Sequence, residues 1–213
     1  MLEKLIYIEN SDVLLEGMLK IPQSATGIVL FSHGSGSSRL SPRNNFVADI
    51  LNQSGLATLL IDLLSKQEDE TYQTRFNIDL LTQRLNKVIQ WLKSQSETRH
   101  LDLGLFGSST GAATALQVAS EMGKAIKSVV SRGGRPDLAI NVLDKVVAPT
   151  LFIVGGNDYG VIELNQKAYE KLICFKKFEI IPYATHLFEE PGCLEEVARI
   201  STDWFNKYLI REL

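Results

Sequence analysis

The sequence is short of the residues that build metal and disulfide centres. Of its 213 residues two are cysteine, Cys174 and Cys193, and three are histidine, His33, His100 and His186. The cysteines form no CxxC pair and no zinc-ligand spacing, which argues against a zinc site or a disulfide scaffold and predicts two reduced thiols. No apolar run approaches the roughly 18 residues of a membrane span. The opening "MLEKLIYIEN" lacks the basic start, apolar stretch and small-residue cleavage site of a secretion signal. Neither sign of charge dominates: a net charge of −3 argues against a nucleic-acid or anionic-membrane surface. Repeats and low-complexity tracts are lacking too. The expectation is a cytoplasmic protein that uses no metal and no cofactor and has neither nucleic acid nor membrane as a partner; its oligomeric state is left open.

What is present is ordinary globular material, 45% hydrophobic and 22% charged, enough for one core in a single domain over residues 1–213. "KLIYIE" and "LLEGMLKIP" read as two strands around the turn signal Asn10-Ser11-Asp12, an antiparallel hairpin. "GIVLFSH" (27–33) reads as a buried strand, and Pro42 opens a helix that Gly55 stops. Strand and helix then alternate: strand 57–62, helix 78–95, strand "LDLGLFG", helix 110–122, strands 126–131 and 149–155, helix 161–172, strand 178–182 and helix 193–210. In the long helix Leu81, Leu85, Val88 and Leu92 fall on one face. The polar stretch "SKQEDETYQTR" (65–75) reads as a long loop. Alternation of this kind predicts an α/β fold with a mostly parallel sheet covered by helices on both faces. In such sheets ligands bind beyond the carboxyl ends of the strands, so residues just after a strand can reach a site and residues just before one cannot.

Ser109 stands at the centre of Gly107-Ser108-Ser109-Thr110-Gly111, a G-x-S-x-G pattern between a predicted strand and a predicted helix. A nucleophile held in a strained turn needs neighbours without side chains. The helix that follows aims its free N–H groups at the turn, where negative charge would develop. This is the nucleophile-elbow pattern. A serine hydroxyl also needs a base. His100 precedes its strand and His33 lies upstream of the serine, whereas His186 follows the last strand in "IIPYATHLFEEPG", which fits the order Ser, acid, His. Asp158, after the penultimate strand in "LFIVGGNDYG", is the expected acid that orients His186. Asp137 is the runner-up. Asp62 lies upstream, and Glu189 and Glu190 read as helix-start or solvated charges. The loop "HGSGS" (33–37) offers the Ser35 amide as one oxyanion donor, with that of Thr110 as the other. His33 is expected to brace this loop.

Together these residues resemble the α/β-hydrolase superfamily and, more narrowly, its small dienelactone-hydrolase-like group. The resemblance runs through "LFSHGSGSSRLSPRN", "GLFGSSTGAA", "VVSRGGRPDLA", "LFIVGGNDYGVIELN" and "ATHLFEEPG". It implies an α/β-hydrolase fold, and a small-molecule ester or thioester as the substrate of Ser109, His186 and Asp158. Members of the narrower group also occur beside phosphoribosyltransferase domains. Dienelactone hydrolases proper use a cysteine nucleophile, and this chain has a serine in that place, which turns the expectation from a dienelactone to an ordinary ester or thioester. The short interval between Ser131 and Pro149 leaves little room for a lid. Arg39 and Arg43 follow the glycine-rich loop and Arg132 and Arg135 follow a strand, so Arg39, Arg132 and Arg135 are candidates to grip an anionic group. Two other readings fit the same residues: different triad chemistry, such as perhydrolysis or C–C cleavage, and a non-catalytic regulatory protein on a hydrolase fold.

Overall fold

The computed structural model describes residues 1–11 and 13–209. Asp12, in the expected turn, and Ile210, at the expected end of the last helix, lie outside the described residues. The chain opens with a hairpin of β1 (Leu2–Asn10) and β2 (Val13–Ile21), then β3 (Gly27–Ser32), α1 (Pro42–Gln53) and β4 (Ala57–Ile61). Two one-turn helices follow, α2 (Lys66–Asp69) and α3 (Tyr72–Arg75), then α4 (Ile78–Ser94), β5 (Asp102–Ser108), α5 (Thr110–Met122) and β6 (Ile126–Arg132). The remainder is a 3₁₀ segment (Pro136–Lys145), β7 (Thr150–Gly155), α6 (Tyr159–Lys171), β8 (Lys176–Ile181) and α7 (Cys193–Leu209).

The strands form one eight-stranded sheet in the order β1-β2-β4-β3-β5-β6-β7-β8. β2 is antiparallel to both neighbours and every pairing from β4 to β8 is parallel. The side-chain period of two divides the core between the faces. Ile28, Leu30, Leu59, Leu105 and Val129 pack on the face shared with Leu81, Leu85, Val88 and Leu116. Their chain neighbours Val29, Phe31, Leu60, Phe106 and Val130 pack on the other face with Val47, Leu51, Val197 and Phe205. Every residue of β3 is buried, as a central strand covered on both sides requires. Among the described residues no lid stands over the strand ends; the interval after β6 is taken up by the 3₁₀ segment.

The expected loop at 65–75 is instead helical at both ends, and the reason is a capping box. Ser65 Oγ accepts from the Glu68 amide and the Glu68 carboxylate accepts from the Ser65 amide. Glu68 also takes a bidentate pair from Arg84, at 2.8 and 2.6 Å, and Arg84 Nη1 donates to Leu63 O at 2.7 Å. Arg84 is 4% exposed. Its hydrogen bonds hold the Glu68 carboxyl at about 2, well below its ordinary 4.5. A carboxylate depressed in the folded state contributes stability above pH 4.5 and loses it as pH falls towards 2. Glu68→Gln is therefore expected to cost about 2 kcal/mol at pH 7, after allowance for its partial exposure and for the unpaired Arg84 left behind. The difference from the parent in urea unfolding should close between pH 4.5 and pH 2; an equal difference at pH 7 and pH 3 would exclude this pair as its source.

The remaining differences are at boundaries. α6 starts at Tyr159 and β8 at Lys176, each two residues earlier than expected. Cys174 and Cys193 are both free thiols. No helix among the described residues is long and apolar enough to cross a membrane.

Candidate active site

Ser109 sits between the end of β5 and the start of α5 with φ 51° and ψ −123°, a backbone conformation that a residue with a side chain rarely adopts. Main-chain bonds hold it there: Ser109 N donates to Arg132 O at 3.2 Å, and Ser109 O accepts from Arg135 N at 2.9 Å and from Ala112 N at 3.1 Å. The flanking glycines are required by close approach. A Cβ on Gly107 would collide with the backbone of Gly111 and Ala112, and one on Gly111 with the carbonyls of Ser32 and His33. The second contact seats the first turn of α5 against the end of β3.

His186 and Asp158 come from the loops after β8 and β7. His186 Nδ1 donates to Asp158 Oδ2 at 2.7 Å. Because an ionised carboxylate only accepts, the neutral ring carries its proton on Nδ1 and leaves Nε2 with a lone pair. The two loops are tied through the main chain, with Asn157 N on Ala184 O at 2.9 Å and Gly156 N on Ile181 O at 2.8 Å. Ser109, His186 and Arg132 line one cavity of about 430 Å³, together with residues 34–38 and 40–43.

The other candidates divide. His33 is buried and braces the loop after β3: its Nε2 accepts from Leu63 N at 3.3 Å, so the proton lies on Nδ1, which donates to Gly34 O at 2.9 Å. His100 is exposed in the turn before β5. Asp137 is engaged by Arg135 at 2.9 and 2.7 Å. Glu189 pairs with Arg43 at 2.8 Å, and Glu190 accepts from Thr185 N at 3.1 Å, which fastens the His186 loop.

Three expectations are corrected. Arg39 does not line the cavity; its guanidinium bridges Asp62 at 2.6 Å and Glu16 at 2.8 Å. Arg135 is outside it too, its side chain bound by Asp137, and it serves the turn through its backbone amide alone. Ser35 lines the cavity, but its amide donates to Thr110 Oγ1 at 2.8 Å rather than into the open space. The hydroxyl that follows Ser109 in sequence reaches across to the glycine-rich loop and takes that donor.

A model of the dienelactone hydrolase family matches residues 15–208. The chain belongs to the dienelactone hydrolase family. A dienelactone hydrolase of known structure from Anabaena variabilis is 52% identical and superposes with a TM-score of 0.95 over 98% of this chain and 99% of that one. Est1E from Butyrivibrio proteoclasticus, at 16% identity and a TM-score of 0.82 over 95% of this chain and 98% of that one, shares the fold. A Mycobacterium tuberculosis protein provisionally named a phosphoribosyl transferase is 50% identical over 204 residues, which is 96% of this chain and 46% of that protein. The chain thus spans about half the length of the curated relatives it matches.

In this member of the dienelactone hydrolase family, a buried group that touches two cavity-lining residues was passed over by sequence patterns, and one predicted arginine lines the cavity. Asn44 is 2% exposed, and its Oδ1 lies 3.4 Å from Ser108 Oγ and 3.5 Å from Arg132 Nη2. A signal was available: Asn44 heads the buried stripe Asn44, Val47, Ala48 and Leu51 of α1, where a helix face of this period calls for an apolar residue. Arg132 is 7% exposed. Burial, helped by the positive charge of Arg43, pulls its guanidinium down to about 10. Among the described residues no three His, Cys, Asp or Glu side chains are grouped to hold a metal ion.

Proposed function

We propose that this hydrolase cleaves small carboxylic esters or thioesters through an acyl-enzyme intermediate. Ser109 Oγ attacks the acyl carbon, and His186 Nε2 takes its proton and passes it to the departing alcohol or thiol. Asp158 keeps the ring in the required tautomer and balances the imidazolium. Water, activated by the same histidine, then releases the acid. The amide of Thr110, at the positive end of the thirteen-residue helix α5, is placed by this reading on the oxyanion. The observation that carries the proposal is the combination of Ser109 at positive φ with the His186–Asp158 bond on the same cavity.

The test is labelling with a fluorophosphonate probe followed by peptide mapping, alongside turnover of p-nitrophenyl acetate and a matched thioester. One label per chain on Ser109 and a burst of one p-nitrophenol per chain are expected. An unlabelled protein without turnover would favour the regulatory reading instead.

A further inference from the structure

The cavity beside Ser109 is lined by a cation that has no counter-ion among the described residues. Nε and Nη1 of Arg132 have no hydrogen-bond partner, and Nη2 reaches Asn44 Oδ1 at 3.5 Å. Its other close neighbour is the ring of Phe188, whose centroid is 5.8 Å from Cζ. Arg43, on the rim, is paired with Glu189. A desolvated, unpaired guanidinium weakens the fold unless something else uses it. Its position is fixed relative to the reacting atom, because Arg132 O accepts from Ser109 N and Arg132 lies opposite Ser108 in the sheet.

The same cavity is lined by the start of α1, a helix of twelve residues. Pro42 has no N–H, and the Asn44 amide is capped by Ser41 Oγ at 3.4 Å. The first-turn donor without a capping partner is the Arg43 amide, at the positive end of the helix dipole. Ser37 and Ser38 border the same space. A carboxylate would satisfy one edge of one guanidinium. The dianion of a phosphate monoester has three non-bridging oxygens, and can take Arg132, the start of α1 and a serine hydroxyl together.

We propose that Arg132, Arg43 and the first turn of α1 form a phosphate-binding subsite, so that the ester cleaved at Ser109 carries a phosphate monoester on its acyl or alcohol part. The phosphate is a handle and leaves the reaction unchanged. Ser109 Oγ bonds to the acyl carbon, the C–O or C–S bond to the leaving group breaks, and water later restores the hydroxyl. The substrate class rests on the hydrolase reading above; the anion site itself does not.

Inorganic phosphate, with sodium acetate and sodium chloride at matched ionic strength, is the direct probe, and thermal unfolding is the readout. Phosphate at about 100 times its dissociation constant should raise the midpoint of the parent and of Ser109→Ala by roughly 5–10 °C, with acetate and chloride ineffective. Arg132→Met should lose the shift, while its own midpoint without phosphate stays at or above that of the parent, since an uncompensated buried charge has been removed. A lowered midpoint in Arg132→Met would mark the arginine as structural and overturn the proposal, as would an equal response to acetate or no response to phosphate in the parent. In a second arm, the p-nitrophenyl ester of phosphoglycolate should exceed that of methoxyacetate in kcat/KM by roughly ten- to a hundredfold. Equal rates would overturn the phosphorylated-ester assignment. A phosphate shift in a protein whose Ser109 takes no fluorophosphonate would leave the subsite standing and remove the hydrolase reading.

Discussion

Ser109→Ala is expected to lower ester turnover by roughly five to six orders of magnitude, as loss of a triad nucleophile does, while Ser108→Ala keeps most of it. The two serines are adjacent and both line the cavity, so the contrast tests the register of the turn and not the composition of the site. Ser108 ends β5, is 2% exposed, and has its hydroxyl 3.4 Å from Asn44 Oδ1. Ser109 alone has the positive φ that lifts a side chain out of the strand-to-helix turn. The substitution removes one oxygen and leaves the main-chain bonds of the turn in place, so circular dichroism and the unfolding midpoint should match the parent. A dead Ser108 variant beside an active Ser109 variant would shift the proposed nucleophile by one residue and undo the geometry built on it.

Asp158→Asn carries the second large effect, a fall in kcat of about 10⁴, the scale on which a wrong histidine tautomer acts in such triads. Aspartate accepts the proton on His186 Nδ1 at 2.7 Å. An asparagine can turn its NH₂ towards that nitrogen, which moves the ring proton to Nε2 and removes the lone pair that must receive the serine proton. The control is Asp137→Asn. Asp137 is bound by Arg135 at 2.7 Å, and its substitution should change kcat by no more than a few-fold. Single-turnover release of p-nitrophenol reads both variants at the acylation step, free of any change in deacylation. Comparable losses in the two would mean that the acid had been assigned to the wrong strand.

The order of elements was legible because this fold writes itself in local periods. α4 announces itself by Leu81, Leu85, Val88 and Leu92, all buried in the structure, and β3 by an unbroken apolar run. The meeting of His186 and Asp158 was legible from chain order and strand ends, because a parallel sheet brings those ends to one edge. Side-chain direction was not. Arg39 follows a glycine-rich loop and Arg132 ends β6 just before one, yet one is consumed by Asp62 and Glu16 and the other lines the cavity with its buried Nε and Nη1 unpaired. Asp62 and Glu16 lie far from Arg39 in sequence, and no local pattern announces such a partner. The Ser35 amide was misjudged for a similar reason: its acceptor, Thr110 Oγ1, is 75 residues away. The helix at 66–69 was legible and overlooked, since Ser65 and Glu68 spell a capping box.

The main-chain ties around the cavity have a consequence for how this enzyme could change. Ser109 is fixed by the backbones of Arg132, Arg135 and Ala112, and the His186 loop by those of Gly156 and Asn157. Such bonds use backbone N–H and C=O groups, of which only proline lacks one, the N–H. The frame that sets the attack geometry is thereby decoupled from the side chains of Leu40, Arg43 and Leu187 at the mouth. Variation at those three positions is a route by which one scaffold drifts between substrates while its reacting atoms stay in register.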